Sequence, residues 1–323
     1  MIYLLYQCGH YHIKLYLRRT KEMCFNDFQK CINEHVTEKI TVGRSGANVY
    51  ELDHKYIAKH VKQSTMKSGA DWDSYLKEAQ FYSTYKANDY PFLPKLYHCK
   101  YTDDEIQIVM EKYSPIDRNN LDDATLEKVF DTLAQIHNMP IPEFLPDNDE
   151  GALQLESEDI KKYLSGWCSV IKEHGDAFSE NDIILIAENI NAINTKAYSA
   201  KKMCCHGDFH FDNLLMDDKG NIIVCDWQNV NSSHVSGDIS FFLSRLAADG
   251  LEISKEKALK MYCNYSTSGI SHDEISMQMS LANLNVSFIH WHNHLHGSST
   301  NRVRSICDKM TDDAKYLYNM CIR

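Results

Sequence analysis

The hydrophobic pattern of the first third of the chain predicts a sheet of short strands. Five short apolar runs occur there, and tight turns that contain Gly, Asp or Pro separate them. Runs of this length joined by such turns are typical of antiparallel strands. The five predicted strands are 39–42, 48–52, 56–61, 95–100 and 106–111.

A helical periodicity interrupts these strands once and dominates the chain after residue 115. Before the fourth strand, apolar residues recur at i, i+3, i+4, i+7 and i+10, which predicts a helix. Its apolar positions are Trp72, Tyr75, Leu76, Ala79 and Tyr82. Farther on, Asp122 or Asp123 can cap a second helix. The apolar stripe of that helix contains Leu126, Val129, Phe130, Leu133 and His137.

One hairpin interrupts the helical remainder. It pairs residues 213–216 with 222–226 around an Asp-Asp-Lys-Gly turn. Strands followed by helices indicate an α+β protein with two lobes. We divide the chain into an N-terminal lobe over residues 26–113 and a mainly helical C-terminal lobe over residues 114–323. Residues 1–25 are treated as an N-terminal extension or a wrongly chosen start.

The composition excludes several classes of protein. The 323 residues carry a formal net charge of −11, an acidic balance that argues against a nucleic-acid-binding protein. No run of about 18 apolar residues occurs, so we expect neither a membrane-spanning helix nor a membrane partner. The 11 cysteines lack the regular spacing of zinc or disulfide frameworks, which indicates reduced thiols in a cytoplasmic protein.

Candidate chemistry concentrates in residues 205–228. Asp208 and Asn213 lie on one short segment, and the hairpin returns Asp226 to the side of Asn213. Carboxylate and amide oxygens are hard ligands of the kind that Mg²⁺ prefers. We therefore predict that Asn213 and Asp226 hold Mg²⁺ and that Asp208 accepts a proton from a hydroxyl nucleophile.

The spacing of these residues resembles the catalytic centre of the aminoglycoside phosphotransferase and choline kinase superfamily. That pattern is His-Gly-Asp, four residues, Asn, and later a strand that ends in Ile-Asp-Trp or similar; here it reads 206–208, Asn213 and 225–227. The resemblance covers most of residues 38–246. It implies a bilobal protein-kinase-like fold, with one helix beside the N-terminal antiparallel sheet. It also implies Mg²⁺ and ATP as cofactors, with GTP as an alternative nucleotide.

The same resemblance assigns a nucleotide site to the N-terminal lobe. Gly43, Ser45 and Gly46 lie in the nucleotide-covering loop, where backbone N–H groups can approach phosphates. Lys59 takes the position of the lysine that contacts the α- and β-phosphates. Glu78 takes the position of the helix glutamate that pairs with this lysine.

The segment between the lobes resembles the hinge of the family. The main chain of Glu111 and Tyr113 is expected to hold the edge of the nucleobase, and Met110 to line the back of the pocket. Whether the base is adenine or guanine is left open.

Five further residues are expected to have supporting roles. Gln228 stands where the family often has a second acid, and its amide oxygen is a weaker alternative ligand for Mg²⁺ or for a metal-bound water. His206 is expected to hold the loop by hydrogen bonds rather than to act as the base. His210 and Asp212 shape the loop, and Asp238 caps a helix and supports the loop.

The sequence favours a small hydroxylated substrate over a protein. The stretch from Asp226 to Asp238 is too short for a protein-kinase activation segment, and no Walker motif occurs. Acidic residues in 146–159 would attract a polyamine if they lie in a cleft, and otherwise form a solvated loop.

A histidine-rich segment, 288–296, is also open to two interpretations. On a helix, His290 with His294 and His292 with His296 would be i,i+4 pairs able to bind a metal, although no acidic ligand follows them. Trp291 could face a cationic substrate or belong to the core.

The leading hypothesis is an ATP- and Mg²⁺-dependent O-phosphotransferase. Its substrate is expected to be a small, cationic molecule such as an aminoglycoside antibiotic, which would give a role in antibiotic resistance. A metabolic kinase for choline, a sugar or an amino alcohol is the first alternative. A non-catalytic nucleotide-binding module is an alternative from a different class. The sequence leaves the oligomeric state open.

Overall fold

The computed structural model describes residue 25 and residues 27–40, 46–118, 121–146, 151–175 and 179–321. In them, strands dominate the N-terminal part and helices the C-terminal part, as expected of the predicted α+β class. The described strands are β1 Val36–Ile40, β2 Asn48–Leu52, β3 Tyr56–Lys62, β4 Leu96–Tyr101, β5 Glu105–Glu111, β6 Ser114–Pro115, β7 Met203–Cys205, β8 Leu214–Met216, β9 Ile222–Val224 and β10 Asn231–Ser233. The described helices are α1 Phe28–His35, α2 Gly69–Thr84, α3 Asp123–His137, α4 Ser157–His174, α5 Glu180–Ala197, α6 Val235–Ala248, α7 Lys255–Tyr265, α8 His272–His290 and α9 Thr300–Cys321.

The N-terminal sheet is antiparallel and has the strand order β1-β2-β3-β5-β4. Its five strands correspond to the five that the sequence predicts. Asp53 and His54 both have positive φ in the turn between β2 and β3, as a type I′ hairpin turn requires. The first strand begins three residues earlier than predicted, and its expected end at residues 41–42 lies outside the described residues.

Two helices cover the faces of this sheet. The predicted helix is α2, which begins where the Ser68 hydroxyl accepts the Asp71 N–H at 3.2 Å. The sequence analysis did not predict α1, which is capped by the Asp27 side chain. Phe28 and Ile32 of α1 pack against the sheet face opposite α2. A one-sided apolar stripe on so short a helix is a weak local signal, and the helix depends on tertiary packing.

The C-terminal part contains two hydrophobic cores. One continues from α2 through α3, α6 and α7 and includes the small sheets β6-β8-β9 and β7-β10. The other is formed by α4, α5, α8 and α9 around the fully buried Trp167. The described helices include none with the length and apolar character that crossing a membrane requires.

The predicted hairpin is present as β8 and β9, which pair in antiparallel register from Leu214–Val224 to Met216–Ile222. It is shorter than predicted because β9 ends at Val224, two residues before Asp226. Asp226 adopts a left-handed conformation, with φ of 66°, and this conformation ends the extended strand.

Candidate active site

Lys59 of β3 forms a buried ion pair with Glu78 of α2. The ammonium donates to Glu78 Oε2 at 2.7 Å and to Asp226 Oδ1 at 3.2 Å. The Lys59 side chain is 12% exposed and that of Glu78 only 1%. The sequence analysis expected the Lys59–Glu78 pair but did not anticipate the contact with Asp226. This contact joins the N-terminal sheet to the loop that follows β9.

Burial and charge act in opposite directions on these groups. Burial disfavours the Lys59 ammonium, but the carboxylates of Glu78 and Asp226 outweigh this effect and raise the pKa of Lys59. Burial also raises the pKa of Glu78, to about 7, in spite of the neighbouring ammonium. Lys59 is therefore a cation at neutral pH, and the pKa of Glu78 lies above its ordinary value.

An aromatic stack fixes the loop that carries Asp226 against α2. The Trp227 ring lies on the Phe81 ring with centroids 4.0 Å apart and planes 12° apart, and both side chains are fully buried. Because Phe81 follows Glu78 by less than one helical turn, the stack sets the position of Glu78 relative to Asp226. Sequence reasoning missed this contact, although both aromatic residues lie in motifs that it had singled out.

The segment that carries Asp208 makes a close turn at Gly207. Gly207 has φ of +78°, and a Cβ atom there would lie 2.2 Å from the Asn229 carbonyl oxygen. No side chain fits at this position without a shift of the backbone of the loop after Asp226. Glycine thus allows the two loops that carry Asp208 and Asp226 to lie against each other.

His206 is a hydrogen-bonding bridge between the same two loops. Its Nε2 donates to the Cys225 carbonyl oxygen at 3.0 Å, and its Nδ1 accepts the Asp208 N–H at 3.3 Å. Burial lowers the pKa of His206, so the ring is neutral at physiological pH. These contacts correspond to the structural role expected from the sequence.

Asp238 supports the loop but does not cap a helix, so that part of the prediction was wrong. Helix α6 begins at Val235, and His234 is its N-cap, four residues upstream of the predicted cap at Asp238. The Asp238 carboxylate accepts the N–H groups of His206 and Gly207, each at 2.8 Å. Two backbone amides before Asp208 are thereby anchored to α6.

Asp208 and Asn213 lie together, as their spacing predicts. Asn213 Nδ2 donates to the carbonyl oxygen of Asp208 at 2.8 Å and to its carboxylate at 3.2 Å. His210 Nε2 lies 3.4 Å from the other carboxylate oxygen. The hydrogen bond with His210 holds the pKa of Asp208 below its ordinary value, so Asp208 is ionised at neutral pH.

Asp212 is held by two arginines that the sequence analysis did not consider. Arg118 and Arg245 both pair with its carboxylate, and Arg118 also donates to Asp249 at 3.0 Å. Isolated arginines far apart in sequence carry no signal of such a cluster. The cluster fixes the middle of the loop between Asp208 and Asn213, in line with the shaping role expected for Asp212.

The oxygen atoms of Asn213 and Asp226, beside Asp208, are of the kind that a hard divalent cation binds. The Cys225 N–H donates to the Asn213 carbonyl at 2.9 Å, which places Asp226 next to Asn213. Asn213 directs its amide nitrogen at Asp208, so its amide oxygen is the atom that would face a cation. Gln228 donates its amide N–H to Asp226 Oδ1, so its nitrogen, not its oxygen, is directed at the carboxylate.

The hinge residues lie at the end of β5. Met110 is buried, as a residue at the back of a pocket would be. The Glu111 N–H donates to the Lys95 carbonyl oxygen at 2.9 Å. The Tyr113 hydroxyl donates to Glu111 and accepts the Lys95 N–H, so this side chain points toward β4.

Other candidates receive less support from the structure. Gly43 and Ser45 lie outside the described residues, and Gly46 lies two residues before β2. Part of the acidic segment, residues 147–150, also lies outside them. Helix α8 ends at His290 and continues as a 3₁₀ turn, so the expected i,i+4 histidine pairs do not lie on one α-helix. Trp291 is partly buried against the second core.

Among the described residues, His137, Cys205 and Asp238 form a buried group of three possible metal ligands, whose ligand atoms lie within 4.8 Å of one another. His137 already uses both ring nitrogens, one with Tyr262 Oη at 2.9 Å and one with Asp238 at 3.2 Å. Asp238 uses both oxygens. The cluster is a closed hydrogen-bonding network behind the loop rather than a metal site. The thiols of eight described cysteines form no disulfide: Cys99, Cys168, Cys204, Cys205, Cys225, Cys263, Cys307 and Cys321.

Comparisons with known proteins give a family match and a fold match. A sequence profile described as the phosphotransferase enzyme family matches residues 45–266, more than half of the chain. No curated protein matches the sequence.

Two solved structures show the same fold at low sequence identity, and a third is similar to the chain. A mutant of aminoglycoside 2′-phosphotransferase-IIIa with GDP is 13% identical, with a TM-score of 0.52, 90% of this chain covered and 95% of that chain. APH(2″)-IIa with gentamicin is 15% identical, with a TM-score of 0.50 and coverage of 90% and 93%. The choline kinase LicA from Streptococcus pneumoniae is 15% identical, with a TM-score of 0.48 and coverage of 90% and 97%.

Proposed function

The chain belongs to the phosphotransferase enzyme family and is a small-molecule kinase, and we propose that it transfers the γ-phosphoryl group of ATP to a hydroxyl group of its substrate. The observation that carries the proposal is the meeting of two pairs of residues at Asp226. Lys59 and Glu78 contact Asp226, and Asp226 lies next to the Asp208–Asn213 pair. Phosphoryl transfer requires a cation for the phosphates, metal ligands and a carboxylate for the hydroxyl group.

Asp208 orients the acceptor hydroxyl and takes its proton. A carboxylate with a lowered pKa is a weak base, so orientation is the larger part of its contribution until the hydroxyl proton becomes acidic in the transition state. Asn213 holds Asp208 through two hydrogen bonds, and this restricts the direction of the carboxylate.

Lys59 neutralises charge on the nucleotide phosphates. Glu78 keeps the ammonium in place, and the Phe81–Trp227 stack keeps Glu78 in place. Asn213 and Asp226 would hold Mg²⁺, which supplies positive charge to the phosphates when bound. The Glu111 carbonyl and the Tyr113 N–H are the hinge groups that would meet the base, and Gly43, Ser45 and Gly46 would cover the phosphates.

An aminoglycoside is the first candidate for the acceptor. The formal charge of −11 suits a cationic substrate. One structural neighbour is named as an aminoglycoside 2′-phosphotransferase, and another was solved with gentamicin. One observation favours a second candidate, a sugar, choline or an amino alcohol. Asp212 lies close to Asp208, but Arg118 and Arg245 already pair with its carboxylate, so it does not offer an unpaired charge to a polyamine. We further propose a cytoplasmic site of action, where thiols stay reduced.

The proposal is tested by measuring ADP release against a panel of acceptors. The panel contains aminoglycosides, choline, amino alcohols and sugars, each with ATP and Mg²⁺ and then with GTP. We expect acceptor-dependent ADP release with at least one acceptor of the panel. The Asp226→Asn variant should lose this release. The control variant Asp218→Asn, which removes an exposed charge in the hairpin turn, should keep it. Nucleotide binding without turnover on any acceptor would instead indicate a non-catalytic module.

A further inference from the structure

Gln228 contacts the candidate metal ligand directly, yet the proposed reaction assigns it no part. It lies in the 3₁₀ turn Trp227–Asn229, and its Nε2 donates to Asp226 Oδ1. The reversed amide would bring two oxygens together and repel the carboxylate, so the donating orientation is the one that chemistry favours. Lys59 donates to the same oxygen at 3.2 Å.

Two donors therefore occupy one oxygen of Asp226. Oδ1 accepts from an amide and an ammonium, and Oδ2 is the oxygen that remains for a cation. The neighbouring ligand, Asn213, is a neutral amide with one oxygen to give. These residues thus present one carboxylate oxygen and one amide oxygen to a metal ion.

The charge at this position is also small. Lys59 shares its positive charge between Glu78 and Asp226, and Gln228 adds no charge. Affinity for hard divalent cations rises with the number of charged ligands, and Mg²⁺ in phosphate-binding sites takes part of its ligand set from the substrate. The protein ligands alone are too few and too weakly charged to hold the ion.

We propose that Gln228 is a positioning residue that fixes Asp226 as a one-oxygen ligand, so that the chain binds a single divalent cation and binds it only together with the nucleotide. The inference rests on the proposed function, because the phosphates of the nucleotide complete the ligand set. A carboxylate in place of Gln228 would instead create a site that holds a metal ion by itself.

The test measures Mn²⁺ binding to the full chain by electron paramagnetic resonance, with and without a non-hydrolysable ATP analogue. We expect one Mn²⁺ per chain with the analogue, and binding at least about tenfold weaker without it. Gln228→Asp should tighten binding without nucleotide by about tenfold or more. Gln228→Ala should weaken binding with nucleotide by about tenfold, as expected for loss of an outer-shell partner.

The matched control is Asn229→Asp, which adds the same charge at the exposed next residue and should change neither affinity. Circular dichroism checks that each variant is folded. If Gln228→Asp does not fold, the Mn²⁺ affinity of Gln228→Ala decides whether Gln228 positions Asp226. Three results would overturn the inference: equal Mn²⁺ affinity with and without nucleotide, two Mn²⁺ ions per chain, or unchanged Mn²⁺ binding in Gln228→Ala. None of them would contradict the proposed function, which ADP release tests. A lack of Mn²⁺ binding in both conditions would overturn the proposed function as well.

Discussion

Replacement of Gly207 by alanine tests whether the two catalytic loops are packed as closely as the structure indicates. Gly207 has φ of +78°, and its Cβ position lies 2.2 Å from Asn229 O and 2.6 Å from Asn231 Nδ2. The nearest atom belongs to the backbone, so it cannot rotate away as a flexible side chain would. The alanine variant must shift the segment that follows Asp226.

The size of the effect follows from two separate costs. A left-handed conformation costs an L-residue about 1–2 kcal/mol, and overpacking adds about 1–3 kcal/mol, so we expect a loss of about 2–5 kcal/mol in the free energy of unfolding. Gly250 separates the two costs, because it has the same φ of +78° but no atom within 4 Å of its Cβ position. Gly250→Ala should lower the free energy of unfolding by only about 1–2 kcal/mol.

Urea denaturation of both variants gives the two free energies, and ADP release gives the functional consequence. A displacement of about 1 Å at a reacting group can reduce turnover about 100-fold, so we expect a loss of at least this size in Gly207→Ala and a small one in Gly250→Ala. If the two variants were equally stable and equally active, the close packing of the loops would be refuted.

Three further substitutions address the supports of the site. Burial raises the pKa of Glu78 to about 7. Below that pH, Lys59 loses its ionised partner, so kcat/KM should fall about tenfold per pH unit. In the Glu78→Gln variant, kcat/KM should be low at every pH and should not show this fall. Trp227→Ala removes the stack on Phe81 and should lower the free energy of unfolding by about 3–5 kcal/mol in urea denaturation, since Trp227 is fully buried. Asp238→Asn should lower the free energy of unfolding by about 1.5–3 kcal/mol, because it weakens hydrogen bonds to an ionised acceptor. It should also lower turnover, while nucleotide affinity, measured by calorimetry, stays within about twofold of that of the unchanged chain.

The parts of the fold that the sequence predicted are those with local signals. The five strands of the sheet are separated by turn residues whose conformation is encoded nearby, as at Asp53 and His54. Helix α3 begins at its predicted cap, where Asp122 accepts the Thr125 N–H at 2.8 Å. Helix α1 escaped prediction because its apolar side packs against strand residues such as Leu52, Ala58 and Val109, which lie far along the chain.

The candidate site was predictable as a set of residues but not as a set of contacts. The spacing of Asp208, Asn213 and Asp226 identified the loop, because residue types and intervals are properties of the sequence. The contact of Lys59 with Asp226 spans 167 positions, and the pairing of Arg118 with Asp212 spans 94. Contacts between such distant positions depend on how elements far apart in the chain pack, which no local pattern encodes.

The most direct test of the central claim is single-turnover phosphoryl transfer by Asp208→Asn, with the best acceptor from the panel. The account predicts a rate about 10²–10⁴-fold below that of the unchanged chain, with nucleotide affinity retained because Asp208 faces the acceptor hydroxyl. An unchanged rate in a folded Asp208→Asn variant would contradict the assignment of this carboxylate and the mechanism built on it.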